Sequence, residues 1–197
     1  MQTELRQESP LIGARDLLEE GSASQAGQIR IRELPFLELN NIRGNSSDAA
    51  FRNAVRDAVG ADLPVKPNTV SAGPDYALWW LGPDEWLAQS AEPVPARLDA
   101  DLRARFGDSF ATTVDVSSGY TTLWLSGPRA AEVLNKGCPL DLHPRVFGAG
   151  QCAQSHFFKT TIALRKLDDD TWHLIVRRSF ADYAARMLVD ASAEYGR

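Results

Sequence analysis

A chain of 197 residues with a formal net charge of −5, 44% hydrophobic and 24% charged residues has the composition of a soluble globular protein, long enough for one large domain or two fused halves. Scattered Lys and Arg in an acidic chain exclude the electrostatic footprint of a nucleic-acid binder, and no apolar run approaches the roughly 20 residues that span a bilayer. The amino terminus lacks the basic and then apolar pattern of a signal peptide, so the expected address is cytoplasmic, with Cys138 and Cys152 as buried thiols rather than a disulfide.

Residues 1–27 are polar, rich in Gly and Ser and short of periodicity, and read as an arm. Gln28 to Arg32 alternates with period two and Phe36 to Leu39 follows Pro35, which predicts two short strands. Ser47 opens a helix with Phe51, Ala54, Val55, Ala58 and Val59 on one face and Gly60 beyond its end. Strands at 76–81 and 85–90 follow. A helix from Pro95 to Phe106, striped by Leu98, Leu102 and Phe106 and stopped by Gly107, closes a half at 28–107.

The second half, 108–197, repeats this order. Thr112 to Val116 and Tyr120 to Leu125 read as a hairpin around Ser117-Ser118-Gly119, and Pro128 suits a first helical turn whose N–H needs no partner. That helix buries Ala130, Val133 and Leu134 and ends at Gly137. Strands over about 152–167 and 171–177 flank the polar turn Asp168 to Asp170. A final helix places Phe180, Tyr183, Ala184, Met187, Leu188 and Ala191 on one face behind a capping box of Ser179 and Asp182. The fold class is therefore α+β, two pseudo-repeated β-β-α-β-β-α halves with antiparallel sheets. Leu78-Trp79-Trp80-Leu81-Gly82-Pro83 and Leu123-Trp124-Leu125-Ser126-Gly127-Pro128, about forty-five residues apart, are expected at the same step of each half.

No cluster of chemical groups stands out. His143, His156 and His173 have no metal-ligand spacing, although His156 and His173 could face each other across the last hairpin. Cys138 to His143 places a thiol, Asp141 and an imidazole close in sequence, but a Cys/His nucleophile needs partners brought together in space. Gly148-Ala149-Gly150 lacks the Lys and Ser/Thr of a phosphate loop, and Ser117 and Ser118 lack the glycines of a hydrolase elbow. Trp79, Trp80, Trp86 and Trp124 on alternating strands favour core or interface over a stacked ligand, and Arg177-Arg178 is expected to pair with Asp182 or with a partner's carboxylate. Catalytic, cofactor-binding and metal-ligating residues are therefore expected to be absent.

Several motifs together resemble the gamma subunit of heterotetrameric sarcosine oxidase: Trp80 to Leu87, Val114 to Ser117, Leu125 to Pro128, Glu132 to Pro144, Phe147 with Gly150, and Arg177 to Tyr183. The resemblance implies a complex of alpha, beta, gamma and delta subunits that demethylates sarcosine to glycine with oxygen as acceptor. Hydrogen peroxide and formaldehyde are the other products, or methylenetetrahydrofolate when tetrahydrofolate is a substrate. It further implies FAD, FMN, NAD and zinc in partner subunits and none in this chain. The expected role is structural, in direct contact with alpha, the polar arm becoming ordered across that partner through the short apolar anchors Ser9-Pro10-Leu11-Ile12 and Leu17-Leu18. The gamma family is in turn similar to the folate-binding core of the glycine-cleavage T-protein. The alternative is thus a stand-alone tetrahydrofolate-dependent aminomethyltransferase or folate-binding protein. Where T-proteins carry an acidic pair, this chain has Phe158-Lys159-Thr160-Thr161-Ile162, and neither Lys nor Thr replaces a carboxylate that must reach a folate nitrogen.

Overall fold

The computed structural model describes residues 7–24 and 27–196. Ten strands form two five-stranded antiparallel sheets. The first has the order β3 (Val70–Ala72), β4 (Tyr76–Gly82), β5 (Glu85–Pro93), β2 (Leu37–Arg43), β6 (Thr112–Asp115). The second has the order β1 (Arg30–Leu34), β7 (Tyr120–Ser126), β10 (Thr171–Arg177), β9 (Thr160–Lys166), β8 (Cys152–Phe157). Period-two alternation makes each sheet two-faced. In β4, Tyr76 and Leu78 point to one core and Ala77 and Trp79 to another.

Helices cover the outer faces. Helix α2 (Ala49–Val59) and α3 (Leu98–Phe106) pack on the first sheet through Phe51, Val55, Leu98 and Leu102, all four at most 2% exposed. Burying a side chain of this size contributes roughly 1.5–3 kcal/mol each. Asp48, not Ser47, caps α2 by accepting the Ala50 N–H at 2.8 Å. Helix α4 (Ala130–Asn135) and α5 (Ala181–Ser192) cover the second sheet. The expected capping box at α5 is absent: no side chain caps its N-terminus, and Asp182 instead pairs with Arg186 one turn on, at 2.8 Å. The sheets meet through a third core of Leu39, Trp79, Leu87, Cys152 and Ile175.

The α+β class with antiparallel sheets is as the sequence predicts, but the division at 107/108 does not bound the sheets. β1 joins the second sheet, while β6 joins the first, so each half lends its leading strand to the other. The predicted hairpin of 112–116 with 120–125 is corrected accordingly. The short turn Ser117–Gly119 carries the chain from one sheet to the other, where Ser117 Oγ accepts the Leu39 N–H and its own N–H is held by Asp115. With the exchange counted, each half is β-β-α-β-β-β-α. The repeat survives, but its Leu-Trp-x-x-Gly-Pro landmark does not: Gly82 enters the β4–β5 hairpin turn, whereas Gly127 lies between β7 and α4.

The arm is also corrected over its described part; residues 1–6, 25 and 26 lie outside the described residues. Helix α1 (Arg15–Ser24) follows a short turn, and Leu11, Ala14 and Leu18 sink into this chain's own second core beside Ile31 and Leu188. Their spacing is a helical stripe that the polar composition concealed. Gly21 lets α1 approach α5, since a Cβ there would stand 3.0 Å from Val189. Leu11 and Leu18 therefore cannot anchor the segment to a partner.

Candidate functional site

Strands of both sheets line a cavity of about 410 Å³, in part through Asn41, Glu85, Tyr120, Gln154, Thr161 and Arg177. Adjacent strands supply these side chains: Asn41 pairs in register with Leu87, and Tyr120 with Arg177, whose guanidinium lies 5.6 Å from the phenol ring centroid. Glu85 is engaged, accepting from Asn41 Nδ2 at 2.8 Å and lying 3.6 Å from Arg43. It is the only carboxylate among the described lining residues.

Between the sheets sits a buried polar cluster of which sequence reasoning singled out only His173 and Trp79, because β9 and β10 read there as ordinary strands. Arg165 Nη2 lies 3.3 Å from His173 Nδ1, and the guanidinium stands 5.2 Å from the Trp79 ring centroid. Gln89 of β5 reaches across to donate to Thr122 Oγ1 at 2.9 Å. Arg165 can only donate, so its bond has His173 Nδ1 as acceptor, whereas Gln89 Oε1, 3.5 Å from the same nitrogen, calls for it as donor. Burial, then the positive charges of Arg165 and Arg32, depress the His173 pKa to about 3, and burial draws Arg165 down to about 10.

This cluster makes stability pH-dependent. A histidine whose folded pKa lies below its unfolded value near 6.5 stabilises the fold above that pH, and the contribution is lost as pH falls from about 6.5 towards 3. Between pH 7 and 5 the native state is expected to lose about 2 kcal/mol from this group. Urea denaturation of wild type and His173→Gln at both values checks it, the variant losing less on acidification.

The sequence candidates are scattered. Cys138 is 4% exposed with Sγ 3.6 Å from Ser155 Oγ, while exposed His143 accepts the Arg145 N–H at Nδ1, so no thiol–imidazole pair forms. Burial raises the Cys152 thiol to about 11, and its Sγ lies 3.5 Å from the Thr69 and Trp80 carbonyls. His156 and His173 do not face each other: Thr161 stands opposite the first and Arg165 opposite the second. Among the described residues no group of His, Cys, Asp and Glu could hold a metal ion. Trp79 and Trp86 are fully buried, Trp80 and Trp124 partly. Arg178 donates to the Glu8 carbonyl rather than to Asp182. Phe158 and Lys159 form the β8–β9 turn, Phe158 with φ 49°.

The model of the sarcosine oxidase gamma subunit family matches residues 43–194. Sarcosine oxidase subunit gamma of Corynebacterium sp. (strain P-1) is 34% identical over 188 residues, covering 95% of this chain and 90% of that protein. The chain belongs to the sarcosine oxidase gamma subunit family. The Arthrobacter sp. subunit gamma is 32% identical to this gamma-family chain, across 98% of it and 93% of the relative. Among solved structures, heterotetrameric sarcosine oxidase from Corynebacterium sp. U-96 in complex with pyrrole 2-carboxylate contains a chain that superposes with a TM-score of 0.89 at 30% identity, covering 97% of both chains. Glycine cleavage system aminomethyltransferase T from Bartonella henselae gives a TM-score of 0.62 at 12% identity over 86% of this chain and 48% of that one. This second likeness is one of fold.

Proposed function

We propose that this chain is the gamma subunit of a heterotetrameric sarcosine oxidase, which demethylates sarcosine oxidatively in the cytoplasm, and that its role is structural. The observation that carries this reading is the superposition on a chain of a heterotetrameric sarcosine oxidase over 97% of both chains. In this reading the alpha, beta and delta subunits are partners, alpha in direct contact. FAD, FMN, NAD and zinc belong to those partners, and tetrahydrofolate is a substrate of the whole. Two features support a non-catalytic role: the cavity's Glu85 is already held by Asn41, and burial keeps Cys152 a thiol. A folate amine entering the cavity would find no free carboxylate to orient it.

Co-expression with the alpha, beta and delta chains provides the test. The expected result is a complex of equal stoichiometry that oxidises sarcosine, with Cys138→Ala and His143→Ala leaving turnover per assembled complex within about twofold of wild type. Failure to co-purify would refute membership of the complex. Loss of turnover in a variant complex of normal composition and flavin content would refute the structural role.

A further inference from the structure

One row of side chains crosses the whole second sheet on the face turned towards the first: Cys152, Arg165, His173, Trp124 and Arg32, from β8 to β1. It starts fully buried at Cys152 and ends in the open at Arg32. Arg30, two residues earlier on β1, faces the same side. At this open end lies a groove of about 620 Å³ walled by Arg30, Arg32 and Trp124, with Glu19 and Ser22 contributed by α1. The Arg32 guanidinium lies 4.4 Å from the Trp124 ring centroid.

Two guanidinium groups, Arg30 and Arg32, wall the groove, and a third, Arg165, lies buried further along the same row, in a chain whose net charge is −5. None of them, Glu19 notwithstanding, forms an ion pair within 4.0 Å with any described carboxylate. The Arg165 Nε is buried without a hydrogen-bond partner. His173 between them carries no compensating charge. Like charges left unpaired on one face repel, and an external anion relieves them.

The edge strand also limits how an occupant binds. Ser22 Oγ accepts the Ile31 N–H at 2.9 Å and donates to the Ile31 carbonyl at 3.0 Å, so α1 closes the free edge of β1 to an added strand. Recognition must run through side chains. Arg30 and Arg32 stand about 7 Å apart along the strand, the spacing of alternate side chains in an extended peptide.

We propose that this groove receives an acidic segment of another subunit, its carboxylates on Arg30 and Arg32 and an apolar or aromatic side chain on Trp124. The proposal rests on the sarcosine oxidase reading above. Bidentate pairing of guanidinium with carboxylate supplies orientation, and the stacked ring holds Arg32 ready for it.

The test measures the affinity of this chain for the assembly of its alpha, beta and delta partners. Arg30→Glu/Arg32→Glu is expected to raise the dissociation constant at least tenfold at about 0.1 M salt, and to flatten the weakening of wild-type binding with added salt. Arg52→Glu/Arg56→Glu, on the exposed side of α2, changes the net charge equally and serves as the control. Arg32→Gln keeps the aliphatic stem and is expected to cost about threefold. Equal unfolding midpoints establish that each variant folds, and Arg32→Gln alone decides the matter if the double reversal does not. A constant for Arg30→Glu/Arg32→Glu within twofold of the control, or for Arg32→Gln within experimental error of wild type, overturns the groove while leaving complex membership intact. A wild-type chain that never binds the partners overturns both.

Discussion

Gly127→Ala is expected to cost the fold about 4 kcal/mol, enough to leave much of the chain unfolded at physiological temperature. Gly127 holds φ at 124°, where side chains are rarely accommodated. A Cβ added there would stand 2.1 Å from the Gln28 carbonyl oxygen and 3.1 Å from the Ile29 Cα. Both are backbone atoms of the segment entering β1, so no rotamer change relieves the overlap. Gly127 also donates its N–H to Asp170 at 3.0 Å, and its carbonyl accepts the Ala130 N–H at the start of α4. A shift large enough to admit the methyl group therefore disturbs β1, β7 and α4 together. Urea denaturation followed by tryptophan fluorescence checks this, with Gly119→Ala as the comparison. No heavy atom lies within 4 Å of a Cβ built at Gly119, so its cost is expected to stay below about 1 kcal/mol. Equal midpoints for the two variants would contradict the steric account.

Glu38→Ala is expected to lose about 3 kcal/mol. Glu38 is 2% exposed in β2, and its carboxylate gathers three donors from across the first half. One oxygen accepts the Arg97 and Leu98 N–H groups, each at 2.7 Å, at the start of α3, and the other accepts from the Tyr76 hydroxyl at 2.7 Å. It caps a helix from a distant strand, and the positive end of the helix dipole favours its charge. Alanine removes the acceptor of all three donors, the Leu98 N–H and the Tyr76 hydroxyl among them buried. Glu38→Gln retains an acceptor and is expected to lose about half as much. A second readout comes from the phenol. Burial, then the Glu38 bond, raise the Tyr76 pKa to about 12, so Glu38→Ala should lower it in a spectroscopic titration. A Tyr76 titration unmoved in a folded Glu38→Ala variant would show that the bond does not form.

The periodic elements were legible because packing obeys the same spacing as the sequence. Phe51, Ala54, Val55 and Val59 line the buried face of α2 as their intervals require, and Leu98, Leu102 and Phe106 that of α3. Strand pairing was less accessible. Residues 112–125 look like a hairpin, because two extended runs flank a polar turn, yet nothing local tells Thr113 that its partner is Ile42. Gly82 and Gly127 share neighbours in sequence and not in space, since Gly-Pro ends a strand equally well before a hairpin turn and before a helix. The arm was misjudged from composition: three apolar residues suffice when α5 and β1 supply the rest of the surface. Most of the inter-sheet polar cluster was hidden for a related reason. Arg165, His173 and Gln89 are unremarkable in their own strands and meet only through cross-strand register and sheet stacking.

The traded leading strands bear on how such a protein could arise. A single unit running from β1 to α3 would have four strands of its sheet, with the place held here by β6 left open beside β2. Its own first strand would project away, since β1 belongs beside β7. Two copies of that unit could satisfy each other only by a reciprocal swap, which is the geometry of a symmetric, strand-exchanged homodimer. Fusing the copies head to tail turns the intermolecular trade into an intramolecular one, and association no longer depends on concentration. Cutting the chain near residue 108 should accordingly yield two fragments that are each incomplete alone and recover native spectra only when mixed.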